Sequence, residues 1–150
     1  MIKANVEIDN KSWHKKIKNP KKYFNKKLKI ISKMFNLFKN KNITFTILLT
    51  NSLNMKKLNN KFRKRNKSTD ILSFPTFPKK KLNSIKDKKI YIGDLAASFE
   101  IINLRSKKNF FTEFDKVWVH GLLHLIGYNH TRYKDYYKMN KIEKRILNSI

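Results

Sequence analysis

The chain has 150 residues, 40% hydrophobic and 13% aromatic, with 36 Lys and Arg against 10 Asp and Glu for a formal net charge of +26. That length suits one domain with one core, and the lack of cysteine excludes disulfides and thiolate metal sites, so any transition metal must be held by imidazole and carboxylate. The charge points to polyanions, whose neutralised phosphates release counterions; against this, Lys, Asn, Ile and Phe are abundant together, as AT-rich coding alone would produce, and a lysine run is ordinarily a solvated face.

The opening MIKANVEIDN alternates apolar and polar residues over Ile2 to Ile8, which predicts a strand at a sheet edge and not a secretory signal. No apolar run approaches the roughly 20 residues of a membrane span, so a soluble, intracellular protein is expected. Pro20 suits a first helical turn, and Phe24, Leu28, Ile31, Phe35 and Phe38 then repeat at helical spacing. Such a lysine-coated helix packs its apolar face on a sheet more readily than on a membrane. Ile43 to Thr50 reads as a buried strand. Asn51 or Ser52 caps a short helix through Met55 and Leu58 toward Phe62, and TDILSFP is another short strand, stopped at Pro75. The polar, proline-broken PTFPKKKLNSIKDKK predicts an exposed loop. Ile90 to Ser98 resumes as a strand with Gly93 inside it, and helices follow over Phe110 to Ile126 and Tyr133 to Leu147. Strands mixed with helices, two of them adjacent without an obvious crossover, argue for an α+β or mixed-sheet α/β domain, and α+β over residues 1–150 is the expectation: a mixed sheet of about four strands packed with helices, with the histidine-bearing helix near the C-terminus. Three glycines are too few for a glycine-rich phosphate loop.

Three of the four histidines fall within VHGLLHLIGYNH. His120 and His124 project from one helical face, one turn apart. Gly127 can take a left-handed conformation, so the chain can turn back and bring His130 to the same point. Three imidazole nitrogens with a fourth position left open is the arrangement of a catalytic zinc. His14, alone among lysines, is expected to be solvated. The same histidine and glycine skeleton occurs in metzincin proteases, which place a glutamate base directly after the first histidine. Here that position is Gly121. A peptidase would therefore lack its water-activating group, and with this charge a phosphodiester is the better electrophile.

The stretch HGLLHLIGYNH resembles the H-G-x-L-H-L-x-G-Y-D-H motif of the YbeY endoribonucleases. LNNKFRKRNKSTDILSFP is similar to that family's L-N-x-x-Y-R…T-D-V-L-S-F-P segment, YIGDLAAS resembles its G-D-I-x-I-S strand, and Asp135 and Met139 follow the third histidine at the family's distances. The likeness spans Ile43 to the C-terminus. It implies a bacterial, cytoplasmic, zinc-dependent, single-strand-specific endoribonuclease that matures ribosomal RNA, notably the 3′ end of the small-subunit RNA, and serves ribosome quality control. Carried over by position, the ligands of one zinc per chain are His120, His124 and His130, and the residues expected to act in catalysis are Arg63 and His120.

Single-stranded RNA, ribosomal RNA and the small ribosomal subunit are the implied partners, with no membrane; the sequence leaves the oligomeric state open. The ion would polarise either a water or a phosphoryl oxygen while Arg63 pairs with the scissile phosphate; the nucleophile, water or the substrate's 2′-hydroxyl, stays open. Asp70 can either orient a histidine or cap a turn, and the lysines of Lys56 to Lys67 and Lys79 to Lys89 are candidate phosphate contacts. Two departures stand out: Asn129 replaces the family's aspartate and cannot ionise, and Phe62 replaces a tyrosine. The alternatives are a metallopeptidase and a non-catalytic RNA-binding ribosome assembly factor with a structural metal.

Overall fold

The computed structural model describes residues 1–82 and 84–150; Asn83, part of the predicted loop, lies outside the described residues. Four strands form one mixed sheet in the order β1-β2-β4-β3: β1 (Ile2–Ile8), β2 (Asn42–Thr50), β3 (Ile71–Pro75) and β4 (Lys89–Ser98). The three pairings run β1 parallel to β2, β2 parallel to β4, and β3 antiparallel to β4. The fold is α+β with a mixed four-stranded sheet, and β1 lies at an edge as its half-buried alternation predicts.

One face of the sheet carries the main core. There α2 (Pro20–Met34) packs along β1 and buries Phe24, Leu28 and Ile31 in the same cluster as Ile43, Phe45 and Ile47 of β2, all fully buried. The helix begins as expected, with Pro20 in its first turn and the Asn19 side chain accepting from the Lys22 N–H. Its end differs. Met34 closes α2, Phe35 is extended, and Phe38 is buried from a separate 3-10 turn, Asn36–Phe38, so the apolar period continues past the helix that the sequence assigns it to. Beside α2 runs α6 (Phe110–Leu125), whose Phe114 and Trp118 pack edge-on to Phe24. A smaller cluster on the opposite face seats α3 (Ser52–Arg63) through Met55 and Leu58 on Leu72, Phe74 and Ala96.

A short α1 (Ser12–Lys16) went unread in the sequence; it buries Trp13 among Phe99, Phe110 and Phe114, and the indole N–H donates to the Thr50 carbonyl at 2.9 Å. His14, on the same turn, is exposed as expected. The segment after Pro75 is not simply an exposed loop. It contains α4 (Lys79–Leu82), and Leu82 is buried in the core. α5 (Phe99–Arg105) follows β4, and α7 (Tyr133–Leu147) closes the chain against α6, with Met139 and Ile146 buried. Among the described residues no helix is long and apolar enough to cross a membrane.

Within β4 the register with β2 shifts, so that Ile92 and Gly93 together oppose Phe45 alone. Gly93 takes φ +132°, open to glycine, and a Cβ there would meet the Phe74 carbonyl oxygen at 2.2 Å.

Candidate active site

The C-terminal end of α6 positions the histidines. His120 and His124 sit one turn apart on one face of α6, and Gly121 between them lets the helix lie close on the sheet: a Cβ on it would meet Leu95 at 3.0 Å and Ile71 at 3.1 Å. Gly127, at φ +94°, ends the helix in a Schellman turn, with the Tyr128 N–H donating to the Leu123 carbonyl at 2.9 Å and the Gly127 N–H to that of His124 at 3.0 Å. The reversed chain carries His130 back, its ring centroid 5.1 Å from His124's and 5.6 Å from His120's. One nitrogen from each of the three rings falls within 4.8 Å of the others.

The partners of the outer nitrogens fix the inner ones. His124 Nδ1 lies 2.9 Å from the Tyr128 carbonyl, which can only accept, so Nδ1 carries the proton and Nε2 a lone pair. His120 Nδ1 lies 3.1 Å from the Glu143 carboxylate on α7, which assigns the same tautomer. The two Nε2 lone pairs then face each other at 3.0 Å. Facing acceptors repel unless a cation or proton lies between them. Nitrogens held about 2.0–2.1 Å from one tetrahedral ion sit roughly 3.4 Å apart, close to the spacing found, so the set fits a metal ion. Burial, and then the neighbouring His120, hold the His124 imidazole below its ordinary pKa and favour the neutral, ligating form.

The histidines open onto a cleft of about 1150 Å³ whose far wall is β3 and the end of α3. Arg63, the last residue of α3, lines it; its Nη2 donates to the Ser73 carbonyl at 2.8 Å and its guanidinium lies 5.9 Å from the Phe74 ring centroid. Arg65, Lys67 and Lys116 line it too. Of the basic residues in Lys56 to Lys67, Arg63, Arg65 and Lys67 reach the cleft, whereas Lys81, Lys86, Lys88 and Lys89 do not line it; Lys116, on α6, does.

Two carboxylates repay comparison with the sequence. Asp70 borders the cleft, but its side chain accepts from the Thr69 hydroxyl and the Ile71 N–H and pairs with Arg105, so it is spent on the start of β3 and not on a histidine. Glu143, unmarked in the sequence, is the carboxylate that meets a histidine; the available signal was its place one turn beyond Met139 on the buried side of α7. Asn129 also lines the cleft, and its buried Oδ1 has no hydrogen-bond partner.

The YbeY family model, described as Endoribonuclease YbeY, matches residues 7–150, extending the likeness to nearly the whole chain. A Pelagibacter ubique relative named Endoribonuclease YbeY is 44% identical over all of this chain and 97% of its own length. One of the same name from Ehrlichia chaffeensis is 32% identical, again over the whole chain and 93% of its own length. The solution structure of TM1509 from Thermotoga maritima matches with a TM-score of 0.62 at 22% identity, over 99% of this chain and 88% of that one, a likeness of fold. With the histidine triad, the arginine-lined cleft and the sheet all in place, the chain belongs to the YbeY endoribonuclease family.

Proposed function

We propose that this chain is a zinc-dependent endoribonuclease specific for single strands, with His120, His124 and His130 as the ligands of one zinc and Arg63 as the group that grips the scissile phosphate. The observation that carries the reading is the pair of Nε2 lone pairs turned toward each other in a basic cleft, a donor set with no internal partner. When bound there, zinc supplies Lewis-acid polarisation of oxygen, either of water or of a phosphoryl group. The chain's own residues do the rest. Glu143 and the Tyr128 carbonyl hold two imidazoles in the ligating tautomer. Ser73 occupies one N–H of the Arg63 fork and fixes its plane, leaving the others for the phosphate's non-bridging oxygens. Arg65, Lys67 and Lys116 draw the polyanion in. A cleft of about 1150 Å³ lies above the range of drug-sized pockets and suits a stretch of polymer. The finer assignment, maturation of the small-subunit ribosomal RNA 3′ end and ribosome quality control in the cytoplasm, with the ribosome as partner, is supported by family membership.

Gly121 weighs against the peptidase. The Cβ of a glutamate at that position would already crowd Leu95 at 3.0 Å, Ile71 at 3.1 Å and Ser73 at 3.2 Å, so the close packing of α6 on β3 and β4 leaves no room for that side chain. A set of three donors, which leaves a coordination position open, weighs against a purely structural metal.

The test offers the purified protein labelled single-stranded RNA and casein, with and without chelator. RNA cut only in the absence of chelator, with casein intact, is the expected result; cleaved casein, or RNA bound without turnover, would refute the proposal. Arg63→Lys should keep its zinc and nearly its RNA affinity while cleaving roughly 10-fold more slowly or worse, because a point charge replaces the fork. Equal single-turnover rates at saturating enzyme would remove Arg63 from the chemistry.

A further inference from the structure

Immediately before Arg63, α3 presents a phenylalanine to solvent. Phe62 is 55% exposed, and its ring centroid lies 5.2 Å from that of Phe74 at an interplanar angle of 66°. Phe74 is half-buried on β3, and the guanidinium that lines the cleft rests over it. The Lys61 ammonium lies 5.3 Å from the Phe62 ring centroid. Two aromatic rings flanked by two cations thus stand beside Arg63, the residue by which α3 lines the cleft.

We propose that Phe62, backed by Phe74, is a nucleobase-stacking subsite that holds a base of the RNA strand next to the phosphate gripped by Arg63. The proposal rests on the endoribonuclease reading and adds a positioning element to it. An exposed phenylalanine leaves a large apolar ring in water, and a base covers it while offering a π-face of its own; stacking of this kind tolerates any base, as a nuclease that reads strandedness requires. The flanking charges select the occupant. A nucleotide brings a phosphate beside each base, so Arg63 and Lys61 both gain partners, and the Lys61 ammonium can move from the ring to the neighbouring phosphate as the base arrives. An apolar peptide would leave both cations without a counter-charge, in a stretch that contains no Asp or Glu from Asn10 to Thr69.

The experiment is single-turnover cleavage by the zinc-loaded full chain, titrated to give half-saturation and maximal rate, on RNA strands in which one abasic nucleotide is walked across the cleavage region. For the wild type, one position should raise the half-saturating concentration about 10-fold, the scale of a lost base–aromatic stack. Phe62→Ala should raise it by a similar factor on intact RNA and show no further loss at that abasic position. Phe62→Trp should retain affinity, whereas Phe62→Leu, apolar but without a π-face, should not. Unfolding midpoints matching the wild type establish that the variants are folded, as this exposed position allows. Unchanged half-saturation in Phe62→Ala, or additive losses at every abasic position, would overturn the subsite alone. A wild type that neither binds nor cuts single-stranded RNA would overturn the endoribonuclease reading and the subsite with it.

Discussion

Asp115 and His120 lie little more than one turn apart on α6 and meet opposite fates. Asp115, nearly buried, is saturated: the Tyr23 hydroxyl, the Lys27 ammonium and the Trp118 indole N–H all donate to its carboxylate. Burial and that carboxylate push the Tyr23 hydroxyl far above its ordinary pKa, so it stays a donor. His120 and His124 have one nitrogen satisfied and the other aimed at its neighbour's lone pair. A closed network spends its hydrogen-bonding capacity on the fold. An open one, held in place by the same helix, keeps capacity for something that arrives from outside. The contrast locates function by what is left over, independently of any motif.

The comparison breaks first at the histidines. His124→Ala should lose its zinc, from about one ion per chain, since two imidazoles cannot fill a site that three define; undiminished zinc by elemental analysis would remove His124 from the donor set. Next comes the closed network. Asp115→Ala strands the half-buried Lys27 ammonium together with the Tyr23 and Trp118 donors, and should cost about 3 kcal/mol in denaturant unfolding while leaving zinc content at wild-type level. A metal loss in that variant would merge two clusters that the geometry separates.

Smaller effects sharpen the contrast. Glu143→Gln should weaken zinc binding by about 10-fold, the lower end for a residue that orients a ligand, in competition against a chelating dye; equal competition curves would leave the carboxylate no role. The smallest effect is pH-dependent. The folded chain holds His124 below the ordinary imidazole pKa of 6.5, so unfolding releases a base that binds protons more readily. In chelated protein the corresponding stability is present above about pH 6.5 and is lost as pH falls below it. The denaturation midpoint should therefore drop between pH 7.5 and 5, and less steeply in His124→Ala; parallel curves would show that His124 is not the group responsible.

The histidine site was readable because it is local. Three donors and their turn occupy His120 to His130, and helix periodicity together with one glycine sets their geometry. Glu143 was not readable by the same means, because its meeting with His120 depends on how α7 packs against α6, and an acidic residue on an amphipathic helix is unremarkable in sequence. Arg63 drew attention through resemblance; its place opposite the histidines follows from β3 pairing antiparallel with β4, a long-range fact. The strands and the two long C-terminal helices followed their periods. Trp13 escaped because a five-residue helix amid lysines has no period to read, and Leu82 because prolines and lysines concealed a single core anchor. Phe35 and Phe38 misled in the opposite direction, keeping helical spacing where the chain had already left the helix.

The extra residue at Gly93 works as a phase shifter. Before it, the even-numbered Ile90 and Ile92 point into the core; after it, the odd-numbered Leu95 and Ala97 do, so without the insertion one half of β4 would be inside out. Leu95 belongs to the later half and is the side chain against which Gly121 lies flat. Opposite Gly93 the chain passes Phe74, whose neighbour Ser73 anchors the arginine. A side chain at 93 would strike the Phe74 carbonyl and wedge β3 away from β4. The wedge, together with the press of that side chain on Leu125 of α6 at 3.1 Å, would reach both walls of the cleft at once, misaligning the histidine helix and Arg63.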